Sequence, residues 1–252
     1  MWSKRLAIGT AYLIGVVYLV IACAGFSLAQ AQQIRVSGHI TISDDTSSGH
    51  RKDSSNVAIW LEPLVRAKIL RADFSETGRK GRYQLVQRNK QFEPHLLVVP
   101  VGTEVRFPNR DVLFHSVFSM FNNQRFDLGL YEAGTDKAVV FSKPGISYIF
   151  CNIHAQMSAT VITLETPYFA ISNRKGEFFI QDVPAGEYML NIWAEGASPD
   201  LLRTLRRIVT VSPSSFSLGT FDLKISTSET IHKNKYDSPY DPPSATSSYG
   251  QR

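Results

Sequence analysis

The chain has 252 residues, 43% of them hydrophobic, which is enough for one large or two small packed domains. Its formal net charge is +5, and without Lys4 and Arg5 near the N-terminus it is +3. The remaining basic residues are scattered, which excludes the clustered basic surface of a nucleic-acid-binding protein, so we expect no nucleic-acid partner.

Residues 1–31 are predicted to be an export signal. A short basic end precedes an apolar run from Leu6 to Leu28, and residues 29–31 read Ala-Gln-Ala, as at a signal-peptidase cleavage site. Two alternatives remain open. The run is long enough for an uncleaved membrane anchor, and Cys23 ends a lipoprotein-like Val-Ile-Ala-Cys sequence. All three place the folded part in the periplasm or on the outer face of the cell envelope, and two of them tether it to a membrane.

Residues 34–62 are predicted to supply two β-strands. Residues 34–42 alternate apolar and polar side chains, and residues 56–62 are mostly apolar. The stretch between them is rich in Ser and Asp and is predicted to be a loop. Residues 63–82 are basic and poorly patterned, and we assign them to a connector.

Residues 83–165 have the pattern of an all-β domain, with short apolar strands separated by Pro and Gly turn residues. Residues 166–224 continue in β-strands. One short helix is predicted to begin at Ser198, because a Ser cap is followed by Pro at the first helical position. Residues 225–252 contain almost no aliphatic side chains and are predicted to be a disordered tail. The predicted fold class is therefore all-β.

Three candidate metal ligands, Cys151, His154 and Met157, follow an apolar, aromatic strand at short spacing. A thiolate, an imidazole and a thioether, together with a second histidine, are the ligand set of a type 1 (blue) copper site. We expect that histidine on a distant strand, and His115 is the candidate. Because Cys23 lies in the N-terminal apolar segment, Cys151 has no disulfide partner in the mature chain, and metal ligation accounts for an unpaired cysteine in an exported protein.

Other interpretations of these residues are weaker. Cys151 could be an inert buried thiol, and Met157 alone could be core packing. A structural zinc site is disfavoured because Met is a poor zinc ligand and only three nitrogen and sulfur donors remain. A cysteine nucleophile is disfavoured because no Gly-rich oxyanion loop follows Cys151 and no orienting acid is evident, so we expect no enzymatic activity. The remaining histidines are expected not to bind the metal: His39, His50, His95 and His232.

Residues 83–165 resemble the plastocyanin/azurin cupredoxins, which implies a Greek-key β-sandwich. The Cys-x-x-His-x-x-Met spacing is that of the amicyanin ligand loop, and Phe92-Glu93-Pro94 and Val101-Gly102-Thr103 also match amicyanin. The resemblance further implies that Asn109, six residues before the first ligand, hydrogen-bonds across to the cysteine loop and supports the ligand geometry. It implies one copper ion with these ligands: His115, Cys151, His154 and, on the axis, Met157.

Residues 34–62 and 166–224 resemble two parts of a small carboxypeptidase-regulatory-like, transthyretin-type β-sandwich. The resemblance lies in two strand sequences and two turn sequences, at residues 36–40, 57–61, 173–178 and 183–188. It favours insertion of the cupredoxin-like domain after the second strand of this sandwich. A separate N-terminal extension with a partial C-terminal sandwich is the alternative. The whole arrangement resembles plastocyanin-like proteins often labelled methylamine utilisation proteins.

Together these features predict an exported one-electron carrier whose partner is a redox protein, such as a cytochrome or an envelope oxidoreductase. Phe114, Phe118 and Ile153 are expected to form an apolar rim for a weak partner contact, with electrons passing through His154. Two alternatives remain open. One is a copper-binding or copper-delivery protein for which the metal is cargo. The other is an envelope scaffold or interaction protein with a non-essential metal site.

Overall fold

The computed structural model describes residues 33–44, 53–65, 83–120, 124–213, 217–225 and 233–240. All of them belong to one compact unit. The predicted export signal lies outside the described residues, as does most of the predicted connector. No helix in these ranges is both long and apolar enough to cross a membrane.

The described chain consists of β-strands and one short helix, so the prediction of an all-β fold is confirmed. The helix, α1 (Pro199–Leu205), begins where it was predicted, because the Ser198 side chain accepts a hydrogen bond from the Leu201 N–H at 3.2 Å. The strands are β1 (Gln33–Asp44), β2 (Ala58–Pro63), β3 (Val86–Arg88), β4 (Gln91–Glu93), β5 (Leu96–Pro100), β6 (Thr103–Pro108), β7 (His115–Ser119), β8 (Phe126–Tyr131), β9 (Asp136–Phe141), β10 (Gly145–Cys151), β11 (Ser158–Leu164), β12 (Phe169–Ile171), β13 (Glu177–Pro184), β14 (Gly186–Trp193), β15 (Arg207–Val211) and β16 (Ser217–Ile225).

Seven strands from the two ends of the described chain form two packed sheets, here called the flanking sandwich. In the first sheet β1 lies between β13 and β16, antiparallel to β13 and parallel to β16. The second sheet has the order β12-β2-β14-β15 and is antiparallel throughout. Ile40, Ile59 and Phe178 are fully buried between the sheets. Strands that precede residue 83 therefore pair with strands that follow residue 165.

Strands β3 to β11 form a second sandwich, here called the central sandwich. One layer has the order β5-β11-β10-β7-β8, in which β5 and β11 are parallel and the other neighbours antiparallel. The other layer contains the antiparallel pairs β3–β4 and β6–β9. Phe107, Phe141 and Ile149 are fully buried between the layers, in a core that also contains Cys151 and Met157. This packing holds β7 and β10, which carry the candidate ligands, side by side.

An apolar interface joins the two sandwiches. Side chains of β2 and β14 are buried there against side chains of β5 and β11: Ala58, Trp193, Leu96, Val98, Ile162 and Leu164. The strand β11 is consequently buried on both faces, with all but its first residue inaccessible. Burial on both faces explains why its sequence, Ser-Ala-Thr-Val-Ile-Thr-Leu, does not alternate strictly between apolar and polar side chains.

The turn at residues 173–176 joins β12 to β13, as its sequence predicted. Gly176 donates its N–H to the Asn173 carbonyl at 2.8 Å, and its own carbonyl accepts from Ile40 N–H at 2.8 Å. Its φ is +84°, and a Cβ at this position would lie 1.9 Å from the Ile40 carbonyl oxygen. Only glycine satisfies both the left-handed backbone and the close approach to β1.

The predicted disordered tail, residues 225–252, differs in part from the structure. Residues 233–240 form a turn in which the Asn234 side-chain oxygen accepts hydrogen bonds from the N–H groups of Tyr236 at 2.9 Å and Ser238 at 3.1 Å. Such turns need little apolar burial, which is why a composition poor in aliphatic residues did not reveal this one. The rest of the predicted tail after β16 lies outside the described residues.

Candidate metal centre

Strands β7 and β10 place two of the candidate ligands together. The strands are antiparallel neighbours, and Cys151 pairs with Val117. His115 is the first residue of β7 and Cys151 is the last residue of β10, although they are 36 positions apart in the chain. Alternate residues of β10 face the core, and both candidate ligands are fully buried.

A tight loop after Cys151, residues 152–157 and here called the ligand loop, places the other two candidate ligands at the same end of the sandwich. The N–H of Cys151 donates to the Met157 carbonyl at 3.1 Å, and the N–H of Met157 donates to the His154 carbonyl at 3.0 Å. The N–H of Asn152 donates to the Ser116 carbonyl on β7 at 2.7 Å. Met157 is fully buried, and His154 is partly exposed. The loop is therefore closed on itself and also attached to the strand that carries His115.

One sulfur and two nitrogen atoms converge within this loop and strand. The Sγ of Cys151 lies 3.6 Å from Nδ1 of His115 and 3.5 Å from Nδ1 of His154. The candidate ligand atoms of His115, Cys151 and His154 all lie within 4.8 Å of one another. The two imidazole rings have centroids 4.9 Å apart and are inclined at 60°. The spacing of the three atoms suits coordination of a single ion.

Both histidines are held in the state that binds metals. Burial lowers the pKa of His115, although Asp111 partly opposes this effect. Burial and the neighbouring His115 also lower the pKa of His154. A neutral imidazole with its proton on Nε2 offers the Nδ1 lone pair, and Nδ1 is the atom that faces the sulfur in both rings.

A largely buried carboxylate orients His115. Nε2–H of His115 donates to Oδ2 of Asp111 at 3.2 Å, and the same oxygen accepts from the N–H of Lys90 at 2.8 Å. Burial favours a raised pKa for Asp111, but the hydrogen bonds from Lys90 and His115 outweigh it and hold this pKa below its ordinary value. An ionised acceptor at Nε2 fixes the tautomer of a metal-binding histidine. Asp111 was not predicted from the sequence, where the available signal was an acid four residues before His115.

Asn109 was expected to hydrogen-bond to the cysteine loop, but its side chain bonds within the turn before β7 and to Tyr131. It is fully buried, and its Nδ2 donates to the carbonyl oxygens of Leu113 at 2.8 Å and Tyr131 at 3.5 Å. Its Oδ1 accepts from the N–H of Asp111 at 3.0 Å. These bonds stabilise the turn before β7, and the expected hydrogen bond to the cysteine loop is not among those that this side chain makes. Asn109 therefore acts on His115 through the Asp111 turn.

The surface beside the site is apolar. Val112 is 90% exposed, Phe114 is 54% exposed and Ile153 is 46% exposed. The prediction that Phe118 belongs to this rim is wrong, because Phe118 is only 2% exposed. Every residue of β7 is buried, since the strand lies inside the five-stranded layer. The ring centroids of Phe118 and Phe150 are 5.9 Å apart. The rim consists of Val112, Phe114 and Ile153.

His95 lies outside the metal group, as expected. Its Nε2 lies 2.6 Å from Oε2 of Glu195, and its Nδ1 lies 3.1 Å from the Ser158 carbonyl oxygen. The hydrogen bond from His95 to Glu195 raises the pKa of His95 and lowers that of Glu195. Ser158 directly follows Met157, so His95 connects the end of the ligand loop to the flanking sandwich.

The donor set fits copper better than the other common metals. Two imidazoles and one cysteine sulfur converge beside the core, and a buried thioether side chain lies on the same loop. Thiolate and imidazole ligands suit both copper and zinc, and the thioether favours copper because methionine is a poor zinc ligand. Ca²⁺ and Mg²⁺ require oxygen ligands. The cluster of His115, Cys151 and His154 thus indicates a copper-binding protein.

No protein-family model matches the chain, and no curated protein sequence matches it either. Among solved structures, a purple cupredoxin from Nitrosopumilus maritimus is 24% identical, with 32% of this chain and 99% of that chain covered and a TM-score of 0.31. A copper-containing nitrite reductase from Thermus scotoductus SA-01 is 25% identical, with 33% of this chain and 22% of that chain covered and a TM-score of 0.32. An amicyanin variant in its reduced Cu(I) form at pH 4 is 20% identical, with 33% and 83% covered and a TM-score of 0.32. At these TM-scores the metal assignment depends on the donor atoms alone.

Proposed function

We propose that this chain is an exported type 1 copper protein that carries single electrons, with one copper ion bound by His115, Cys151, His154 and Met157. The observation that carries the proposal is the convergence of the Cys151 sulfur and two Nδ1 atoms at one buried point. When bound, copper would supply the one-electron change between Cu(II) and Cu(I).

The protein's own residues suit electron transfer because they are held in place independently of the metal. His115 and Cys151 belong to paired strands, and backbone hydrogen bonds close the loop that carries His154. Asp111 fixes the ring of His115. Ligands that are already positioned rearrange little when the charge of the metal changes, which lowers the barrier to electron transfer.

A carrier function also agrees with the limited access to the site. The Cys151 side chain is fully buried, which keeps substrates away from its sulfur, and His154 is the partly exposed ligand. The apolar rim of Val112, Phe114 and Ile153 lies beside it. A small apolar surface of this kind suits a short-lived complex with a redox protein, and we propose a cytochrome or an envelope oxidoreductase as the partner and no enzymatic activity for the chain itself.

Export of the protein is proposed from its first 31 residues. Their basic end, apolar run and Ala-Gln-Ala sequence are typical of a signal peptide. A periplasmic or envelope location would place the copper site among other exported redox proteins. Processing of the N-terminus is readily measured, because the mature protein would begin at Gln32 after cleavage and at a lipid-modified Cys23 in a lipoprotein.

The visible spectrum of copper-loaded protein tests the proposed function. We expect an intense blue Cu(II) form that a reductant bleaches and an oxidant restores. Cys151→Ser should lose the blue colour because the charge-transfer band requires the thiolate, and circular dichroism serves as the control that the variant is folded. A metal-saturated wild-type protein that stays colourless, with Cys151 open to alkylation, would contradict the proposal.

The same preparation distinguishes electron transfer from copper delivery. A carrier should retain copper in both oxidation states when challenged with a chelator. Rapid loss of Cu(I) to the chelator, or binding of Cu(I) alone, would favour delivery.

We propose, in addition, that the flanking sandwich is a carboxypeptidase-regulatory-like domain into which the central sandwich is inserted. The support is strand pairing: β1 pairs with β13 and β16, and β2 pairs with β12 and β14. A specific protease site engineered into residues 66–82 should leave the two cleaved fragments associated in size-exclusion chromatography. Free release of the N-terminal fragment under native conditions would rule out the insertion.

A further inference from the structure

Residues 233–240, here called the C-terminal strap, lie against the start of the ligand loop. The hydroxyl of Tyr240 donates to the Cys151 carbonyl oxygen at 2.7 Å, and the backbone N–H of Lys235 donates to Oδ1 of Asn152 at 2.9 Å. The strap is thus bonded to the residue that provides the thiolate and to the residue after it.

A third contact attaches the strap to the strand beside β7. Nζ of Lys235 lies 2.8 Å from Oδ2 of Asp127 in β8, and the Lys235 side chain is only 17% exposed. Within the strap, the turn around Asn234 holds the backbone that presents Lys235. The strap therefore bridges β8 and the ligand loop, the two segments on either side of β7 and its His115.

We propose that Tyr240 is a positioning residue of the metal centre and that docking of the C-terminal strap is coupled to copper binding. This inference rests on the proposed copper function. A metal binds more tightly to a loop that is already ordered, because the entropy of ordering is not lost at the moment of binding. Coupling between two binding events is reciprocal, so copper must in turn strengthen the docking of the strap.

The contacts set the size of the expected coupling. A neutral hydrogen bond in a protein interior corresponds to roughly a fivefold change in an equilibrium constant. Tyr240→Phe keeps the ring and removes only the hydroxyl that reaches the Cys151 carbonyl. Because the hydroxyl can make this bond with or without copper bound, the full value is an upper limit, and we expect this variant to bind Cu(I) up to about fivefold more weakly than the wild type.

The matched control is Tyr188→Phe. The Tyr188 hydroxyl donates to the Pro184 carbonyl at 2.8 Å, which is the same kind of bond at nearly the same length, but in the flanking sandwich. Copper affinity is measured by competition with a colorimetric Cu(I) chelator, on the full chain in each case. The proposal expects a weaker affinity for Tyr240→Phe and no change for Tyr188→Phe. Equal effects of the two substitutions would overturn it.

The effect of copper on the docking of the strap is tested by measuring the rate of trypsin cleavage after Lys235, with mass spectrometry of the intact protein as the readout. A docked strap protects this peptide bond, because the Lys235 side chain is mostly buried against Asp127. Copper loading should slow the cleavage about fivefold in the wild type and distinctly less in Tyr240→Phe. Identical cleavage rates for metal-free and copper-loaded wild type would overturn the coupling.

Failure of this inference is distinguishable from failure of the proposed function. A wild-type protein that binds no copper would overturn the proposed function, and the coupling with it. A blue wild-type protein with an unchanged Cu(I) affinity in Tyr240→Phe would overturn the role of the strap alone.

Discussion

Replacing Asp111 with Asn tests how the protein adjusts the proposed copper centre. The substitution keeps the size of the side chain and removes its charge. In the wild type, Oδ2 of Asp111 accepts from Nε2–H of His115 at 3.2 Å, and the Asp111 side chain is only 10% exposed. An ionised acceptor makes the imidazole a stronger donor and offsets positive charge at the metal, so it favours Cu(II) over Cu(I). Asp111→Asn should therefore raise the reduction potential.

The size of the shift follows from the loss of charge in this hydrogen bond. Hydrogen bonds to charged groups contribute about 1.5–3 kcal/mol, and neutral ones contribute about 0.5–1.5 kcal/mol. The difference is about 1.4 kcal/mol, which is tenfold in an equilibrium constant and about 59 mV for one electron. Since the bond persists in both oxidation states, only part of this difference separates them, and we expect a rise of roughly 30 mV. Low exposure keeps solvent screening of the carboxylate small.

Spectroelectrochemical titration of the blue form measures this potential. Asp200→Asn is the control, because Asp200 loses the same charge in the exposed helix α1, where its ion-pair partner is Arg203. The control should shift the potential by much less than Asp111→Asn. An unchanged or lowered potential in Asp111→Asn, with the fold intact by circular dichroism, would refute a role for the carboxylate in favouring Cu(II).

Three further predictions concern the ligand loop, a turn and an ion pair. Met157→Leu should keep copper bound and raise the reduction potential, and an unchanged potential would show that Met157 is not a ligand. Gly176→Ala should lower the free energy of unfolding by about 2–3 kcal/mol or more, because the new Cβ would lie 1.9 Å from a backbone oxygen. The control Gly134→Ala, whose Cβ would have nothing within 4 Å, should lower it by about 1 kcal/mol. Equal losses of the two variants in denaturant titrations would contradict this prediction. The hydrogen bond to Glu195 raises the pKa of His95 above 6.5, and the same bond lowers the pKa of Glu195 below 4.5. Their pair should therefore stabilise the fold most between pH 4.5 and pH 6.5, and progressively less as the pH falls through the lowered pKa of Glu195 or rises through the raised pKa of His95. His95→Gln should flatten the fall in melting temperature above pH 6.5, and an identical pH slope would count against this role of the pair.

The sequence by itself determined the features that depend on neighbours in the chain. The residue types of Cys151, His154 and Met157 indicated the donor atoms of the site. Their short spacing indicated that these atoms lie close together, because residues this near in the chain are held together by the loop itself. The turn ending at Gly176 and the helix start at Ser198 were likewise readable, because turn and cap geometry is set by a few adjacent residues. Alternation and turn spacing were sufficient for the all-β class.

Only the tertiary structure decided which distant residues meet at the site. Pairing of β7 with β10 places His115 beside Cys151, and it also buries Phe118, which was expected on the surface. Asp111, and the strap residue Tyr240, contact the candidate ligands or their backbone through hydrogen bonds that leave no periodic signal in the sequence. Local patterns encode secondary structure, whereas these contacts arise from the packing of two sandwiches whose strands are interleaved along the chain.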